Sequence, residues 1–413
     1  MTFSGSPSFF AMFCNVLKLN IAGKSIKDPQ SLANVFSEYF EKSVDDIKSK
    51  ISCNPGIDFT DQSKENITNL MFFNTVKPHE IKRSIMQLKN KRSFGFDSIP
   101  DFVLKNCADY ISNALADILN TCFSEGTFPT LLTKSIIKPI YKKGAKDDIK
   151  NYRPISLLSV FSKFFEKVFL NRLLQFLNSS SILSNFQHGF RKTKCTETAI
   201  FNLVNEILND IDKKNKSCGL FLDLSKAFDC IVHQILLNKC YNYGIRGNCL
   251  QFIKSYLCDR LQCTEICTVD ENGCEVKKQS ADKPLKHGVP QGSILGPILF
   301  LLYINELPNF CIENNLSPTI YADDSNVLIS APTVITLTEK ISESILLMES
   351  WFSKNGLVMN REKTEILSFQ PIQNTDFLKD DVVIGDDIFK LSDSTKFLGV
   401  QIDSNFRWSI HID

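Results

Sequence analysis

The sequence predicts an α+β fold, a small antiparallel sheet covered by helices. Three observations carry that expectation. Cys218–Leu224 is a compact apolar run of strand length, broken only by Asp223. Thr319–Ala322 and Asn326–Ser330 are strand-like runs flanking Asp323-Asp324-Ser325, which reads as a hairpin tip. Elsewhere apolar residues recur at helical spacing, as at Leu337, Ile341, Ile345, Met348 and Phe352.

Taken in order, residues 1–75 are polar and weakly patterned, with an amphipathic helix expected around Leu32–Phe40. Val76, Ile81, Ile85 and Leu88 mark a helix that Gly95-Phe96-Asp97 interrupts, and a second helix over Cys107–Phe123 ends at Gly126 and Pro129. Ser135–Tyr141 reads as a strand, Lys142–Lys150 as a charged turn and Phe161–Leu177 as an amphipathic helix. Phe228, Ile231, Val232, Ile235 and Leu236 form a helix face after the Cys218–Leu224 strand. The helix through Leu337 and Phe352 should stop at Gly356, with Thr336 and Glu339 spaced as a capping box. No internal repeat or low-complexity tract interrupts this pattern.

Composition narrows the class. A chain of 413 residues holds about two to three domains, and 43% hydrophobic with 23% charged residues excludes a disordered or fibrous protein. Lys+Arg 47 against Asp+Glu 46 leaves +1, which argues against a uniformly basic nucleic-acid coat. The charge is unevenly placed, however. Lys134–Lys194 carries thirteen basic and three acidic residues, a net +10 against −9 for the remainder. A local basic grip on a polyanion suits that split. The apolar patch Phe9–Leu17 lacks the basic flank of a leader, and the run Pro297–Ile304 is far short of the roughly 20 residues of a membrane span. The 14 cysteines are therefore read as reduced thiols of a soluble intracellular protein with no membrane partner. Cys258, Cys263, Cys267 and Cys274 lack the spacing of paired zinc knuckles and lie in a hairpin-like segment. His188 and His233 read as packed or hydrogen-bonded residues, and neither a Walker loop nor a hydrolase triad order is present.

Two carboxylate loci carry the chemistry. Asp223 ends one strand and Asp323-Asp324 sits at a hairpin tip. If those strands are neighbours, the carboxylates repel unless a cation lies between them. Mg²⁺ takes carboxylate oxygens plus substrate phosphates, and two such ions would activate a 3′ hydroxyl and stabilise a leaving pyrophosphate.

The surrounding motifs resemble, in order, those of a reverse transcriptase of the non-long-terminal-repeat (non-LTR) retrotransposon type, the jockey and CR1-like LINE group. Phe221–Asp229 is similar to its first catalytic motif, Gly288-Val289-Pro290-Gln291-Gly292-Ser293 to its template-positioning motif and Tyr321-Ala322-Asp323-Asp324 to the YxDD box. Lys142-Lys143-Gly144 with Asn151–Ser156 resembles the fingers motif, and Gln187–Arg191 the one that follows. Gly356–Thr364 and Phe397–Val400 resemble the later motifs, the last being the primer grip, so the resemblance spans roughly residues 76–411.

The resemblance implies an RNA-directed DNA polymerase with a right-hand fold of fingers and palm and a truncated thumb, acting on an RNA template, a DNA primer and dNTPs in the nucleus or cytoplasm. It makes Asp223, Asp323 and Asp324 the catalytic metal ligands, joined by the Leu224 carbonyl, for two Mg²⁺ ions that Mn²⁺ can replace. Phe228 stands where the family places a steric gate against a 2′ hydroxyl, although nearby Asp229 is the kind of acid that RNA-synthesising relatives use. Arg153 with Lys142 or Lys143 would clamp the triphosphate, and Gln291 and Gly292 would approach the template–nucleotide pair. Lys363 would act as general acid. Arg191, Tyr321, Phe397, Leu398 and Gly399 would touch template or primer.

The implied domains are a spacer-like extension (1–75), N-terminal helices and fingers (76–215), a palm (216–390, with an insertion at 230–287) and a primer-grip region leading to the thumb (391–413). Residues 1–75 are too few for the endonuclease that full-length relatives carry. The alternative is a catalytically incompetent mobile-element fragment that at most binds nucleic acid. A group II intron maturase shares the palm but needs a splicing domain for which the chain has no room.

Overall fold

The computed structural model describes residues 18–411 except 22, 52–68, 91–92, 270–273, 371–377, 379, 386 and 409–410. The patch Phe9–Leu17 lies outside the described residues. The chain opens with β1 (Leu19–Ile21), β2 (Lys24–Ile26), α1 (Pro29–Lys48), α2 (Pro78–Met86), α3 (Asp101–Asn106) and α4 (Ala108–Glu125). It continues through β3 (Ser135–Tyr141), β4 (Tyr152–Leu158), α5 (Val160–Ser179), α6 (Thr196–Asp212), β5 (Lys216–Leu222), α7 (His233–Asn242) and α8 (Gly247–Leu257). Next come β6 (Leu261–Val269), β7 (Glu275–Gln279), β8 (Lys283–Pro284), α9 (Gly296–Ile304), α10 (Leu307–Glu313), β9 (Ser317–Tyr321), β10 (Asp324–Ala331) and α11 (Val334–Lys354). The last elements are β11 (Glu365–Phe369), β12 (Val382–Ile384), β13 (Asp387–Phe389), β14 (Ser394–Phe397) and β15 (Val400–Asp403). The α+β expectation holds.

The chain divides into two compact units. The first comprises Met1–Asp46, Ile67–Gln175 and Cys240–Gly296. Its sheet runs β4-β3-β6-β7, with β8 also on β6. β3 pairs antiparallel with β4 and, through Ser135–Ile137 only, parallel with β6. Pro139 therefore lies beyond the β6 pairing, where its missing N–H breaks no ladder bond, and it faces Pro154 on the edge strand β4. Phenylalanine builds much of the helical core of this unit: Phe73 stacks on Phe123 at 4.0 Å, and Phe169 on Phe252 at 4.8 Å. Val76, Ile81, Ile85 and Leu88 are buried as the spacing predicts. Helix α5 is less one-sided than expected, since the consecutive residues Phe164, Phe165 and Glu166 are all buried.

The second unit comprises Ile47–Asn66, Phe176–Lys239 and Pro297–Asp413. Its sheet runs β11-β5-β10-β9, antiparallel throughout. Central strand β5 is buried on both faces from Ser217 to Leu222, which is why it reads as a continuous apolar run. Leu337, Ile341, Ile345, Met348 and Phe352 all reach 0% exposure on α11. The cap of α11 lies one turn earlier than expected. Extended Thr333 is the N-cap, and Thr336 is its N3 partner in a reciprocal capping box.

All twelve described cysteines are free thiols. Cys263 and Cys267 lie buried on β6, which pairs with β7 as the hairpin-like segment predicts. Among the described residues, no helix is long and apolar enough to cross a membrane.

Candidate active site

The carboxylate loci meet at one end of the β5–β10 pair. The hairpin tip is tighter than the sequence predicts, because Tyr321 pairs with Asp324 and leaves only Ala322 and Asp323 in the loop. Ala322 takes φ 55, a left-handed conformation at the first loop position, and Asp324 already belongs to β10. Ser325 pairs with Leu222, so one further step of the register sets Asp324 across from Asp223.

The other flank of Asp223 is closed by the segment after α11. The Asn360 N–H donates to the Asp223 carbonyl (2.8 Å), and the Ser225 N–H to the Val358 carbonyl (2.9 Å). Those bonds flank the Leu224–Met359 bridge, so the N–H and carbonyl of Leu224 face away from the 358–360 segment. A 3-10 turn, Arg361–Lys363, then brings Lys363 Nζ to 3.5 Å from Asp223 Oδ2. Carboxylate and carbonyl oxygens are donors that suit a hard divalent cation. As the side chains stand, no three His, Cys, Asp or Glu residues among those described form a metal-holding group.

Phe228 lies outside the expected helix. Lys226 adopts φ 48, and its carbonyl accepts the N–H groups of both Asp229 and Cys230, closing a single turn before α7 begins at His233. The half-buried Phe228 ring stacks on buried Phe300 of α9, centroids 4.5 Å apart. Tyr303 braces the next segment, its hydroxyl accepting from the Val232 N–H (3.2 Å) and donating to the Asn355 carbonyl.

The expected nucleotide clamp lies in the first unit. The Lys142 N–H donates to the Asn151 carbonyl (2.8 Å) at the mouth of the β3–β4 hairpin, and Arg153 pairs with Ile140. Strand alternation puts Lys142 and Arg153 on one face of that hairpin, opposite Tyr152. Both basic side chains are exposed. The open edge of β4 is met by the 288–293 loop, where Ser156 donates to the Gln291 carbonyl (2.7 Å). Gly292 takes φ 109, and a Cβ there would stand 3.0 Å from the Ser156 carbonyl oxygen, so only glycine fits without a shift. Lys142, Arg153, Gln291 and Gly292 thus gather around one hairpin.

The remaining residues behave differently. Arg191 donates through Nη1 to the carbonyls of Ser184 (2.6 Å) and Leu183 (3.4 Å), which ties its own loop together. Tyr321 is half-buried at the closing pair of the β9–β10 hairpin. Phe397 is 4% exposed and packs edge-on against Phe221 at 5.4 Å, so it belongs to the core. Leu398 and Gly399 form the two-residue loop between β14 and β15, with φ 50 and 90, the pattern of a type I′ turn.

A family model described as reverse transcriptase (RNA-dependent DNA polymerase) matches residues 140–402. The chain belongs to the reverse transcriptase family. Among curated relatives, it is 29% identical to the RNA-directed DNA polymerase from mobile element jockey of Drosophila melanogaster, over 81% of this chain and 36% of that protein. It is 26% identical to the probable RNA-directed DNA polymerase from transposon BS of the same species, over 94% of this chain and 42% of that protein. The chain therefore spans between a third and a half of the length of these relatives.

One further residue of this reverse transcriptase-family chain supports the 288–293 loop. Glu166 on α5 is fully buried, and its Oε2 accepts the N–H groups of Ile294 (2.7 Å) and Leu295 (3.0 Å), directly after the 288–293 motif. Burial pushes its carboxyl up, while the charge of buried Arg260 and the two N–H bonds oppose that rise. The signal in the sequence is an acid set among consecutive aromatic and aliphatic residues, Phe164-Phe165-Glu166.

Proposed function

We propose that the chain is the RNA-directed DNA polymerase core of a non-LTR retrotransposon of the LINE type, adding deoxynucleotides to the 3′ hydroxyl of a DNA primer on an RNA template. The observation that carries this reading is the Ser325–Leu222 pair that ends the β5–β10 ladder, for the next residues on the two strands are Asp324 and Asp223, with Asp323 in the adjoining turn. Asp223, Asp323, Asp324 and the Leu224 carbonyl would hold two Mg²⁺ ions, with Mn²⁺ as a substitute. Such ions supply hydroxyl activation and charge stabilisation at the leaving pyrophosphate.

The chain's own residues do the rest. Arg153 binds the triphosphate through a planar fork and Lys142 as a point charge. The backbone at Gln291 and Gly292 comes close to the nascent base pair. Phe228, held by its stack on Phe300, blocks a 2′ hydroxyl. Lys363, beside Asp223, delivers a proton to the departing pyrophosphate. Tyr321 and the Leu398-Gly399 turn, which buried Phe397 supports from the core, meet the primer side, and Arg191 shapes the loop that faces the template.

The test is extension of a DNA primer on an RNA template by the purified chain. Mg²⁺-dependent extension is expected, and Asp323→Ala should abolish it with the fold intact. Folded protein that gives no extension at any Mg²⁺ or Mn²⁺ concentration overturns the polymerase reading and leaves a fragment that at most binds nucleic acid.

A further inference from the structure

We infer that Gln187 is a positioning residue for the catalytic turn, fixing Ala322 and through it the carboxylate of Asp323; this rests on the polymerase reading above. The segment around Gln187 meets the outer edge of β9 through one parallel bridge, Gln187 to Ile320. The Ile320 N–H donates to the Phe186 carbonyl (3.1 Å), and the His188 N–H donates to the Ile320 carbonyl (2.7 Å). From that position the Gln187 side chain, 2% exposed, turns toward the hairpin loop. Its Oε1 accepts two backbone N–H groups, from Gly189 (2.8 Å) and from Ala322 (2.9 Å).

The second of these bonds meets a specific need. The hairpin ladder closes at the Tyr321–Asp324 pair, so it offers nothing to the Ala322 N–H inside the loop. Ala322 is 3% exposed, and a buried donor requires a partner. Ala322 also holds φ 55, which an L-residue adopts only when its surroundings enforce it. Gln187 is such an enforcing contact, and its own amide is steadied by Gly189 from the same loop. A Cβ on Gly189 would lie 2.7 Å from the Ala322 nitrogen, so the two backbones are in direct contact there. The peptide plane that Gln187 grips is that of Tyr321–Ala322, so it anchors the left-handed Ala322 through which the chain enters Asp323.

The test compares wild type with Gln187→Met, which keeps the shape and removes the acceptor, and Gln187→Glu, which keeps an acceptor. Amide exchange of the peptide spanning 320–324 is read by mass spectrometry, beside kcat and dNTP KM in primer extension. In Gln187→Met, exchange at the turn should accelerate at least about tenfold and kcat fall at least about tenfold, with KM unchanged within about twofold. Gln187→Glu should restore the exchange protection. Unchanged exchange, or faster exchange with unaltered kcat, overturns the inference. If wild type gives no extension, the polymerase reading fails separately and exchange alone decides the Gln187 contact. Should Gln187→Met fail to fold, Gly189→Ala presses on the same N–H and must lower kcat alike; a normal kcat there overturns the inference.

Discussion

The Lys363 ammonium stands 3.5 Å from Asp223 Oδ2, at the sheet end where the β5–β10 ladder closes on the Ser325–Leu222 pair. The two side chains are 62% and 42% exposed, so solvent screens the pair and its share of folding stability is about 0–1 kcal/mol. Stability does not explain its position, whereas the general-acid role proposed for it would. Lys363→Met should therefore shift the thermal midpoint by no more than about 2 °C. It should lower kcat for single-nucleotide extension by about 10²-fold. An unchanged kcat would reduce Lys363 to a surface ion pair.

The metal binding proposed for Asp223, Asp323 and Asp324 would produce a linkage effect that needs no turnover. A ligand held by the folded state alone stabilises it by RT ln(1 + [L]/Kd), about 2.7 kcal/mol at a hundredfold excess over Kd. Mn²⁺ titrated into the wild-type chain should raise the denaturation midpoint, and Asp223→Asn should abolish most of that rise. Equal rises in both proteins would show that the ion binds elsewhere.

The parts of this site that were legible in the sequence are those where one period dominates. Strand β5 and helix α11 bury the residues that their spacing marks, and Asp223 at a strand end and Asp323-Asp324 at a hairpin tip follow from the same pattern. Strand β4 was hidden because Pro154 opposes strand formation, a penalty that its edge position removes. Helix α6 buries Ala199, Leu203 and Ile207, a narrow stripe blurred by exposed Phe201 and Leu208 on its other faces. Phe228 fell outside its helix because the left-handed Lys226 sets a turn that hydrophobic spacing does not encode. The Gln187–Ala322 contact joins residues 135 positions apart, which local pattern cannot reach.

Phe228 offers a prediction on substrate choice. Its ring is stacked on Phe300 but only half-buried, which leaves part of the residue open for the gating role proposed above. Phe228→Val should raise kcat/KM for ribonucleotides relative to deoxynucleotides by about 10- to 100-fold, on the order of 1–3 kcal/mol of lost discrimination. A purely structural Phe228 would instead cost stability and leave that ratio unchanged. Competition between rNTP and dNTP on one primer–template measures it.

Glu166 tests how far the 288–293 loop depends on a buried charge. Removing its carboxylate strands the N–H groups of Ile294 and Leu295 and leaves buried Arg260 without its neighbouring negative charge. Glu166→Ala should destabilise the chain by about 3–5 kcal/mol in urea unfolding. Glu166→Gln retains an acceptor for the two N–H groups and should lose less. Equal losses in the two variants would assign the cost to charge alone.

His188 supplies the pH dependence. It is 2% exposed, with Nδ1 2.9 Å from the Thr198 hydroxyl, and burial together with the charges of Lys194 and Arg191 lowers its pKa from 6.5 to about 4. The folded state therefore holds a neutral imidazole at pH values where the unfolded chain already binds a proton. Stability from this group is complete above about 6.5 and drains away as pH falls toward about 4, by at most about 1.4 kcal/mol per pH unit. Above pH 6.5 both states are neutral, and the group contributes no slope. Carboxylates elsewhere add their own acid dependence, so the informative quantity is the difference between wild type and His188→Gln. Urea unfolding at pH 7.5, 6.0 and 5.0 should show wild type losing stability faster than the variant below pH 6.5 and in parallel with it above. Because the His188 N–H is bonded to Ile320 in the β9–β10 hairpin, the same acid window should loosen amide protection at residues 320–324. Parallel curves down to pH 5 would mean that the imidazole is solvated and free to protonate in the folded chain.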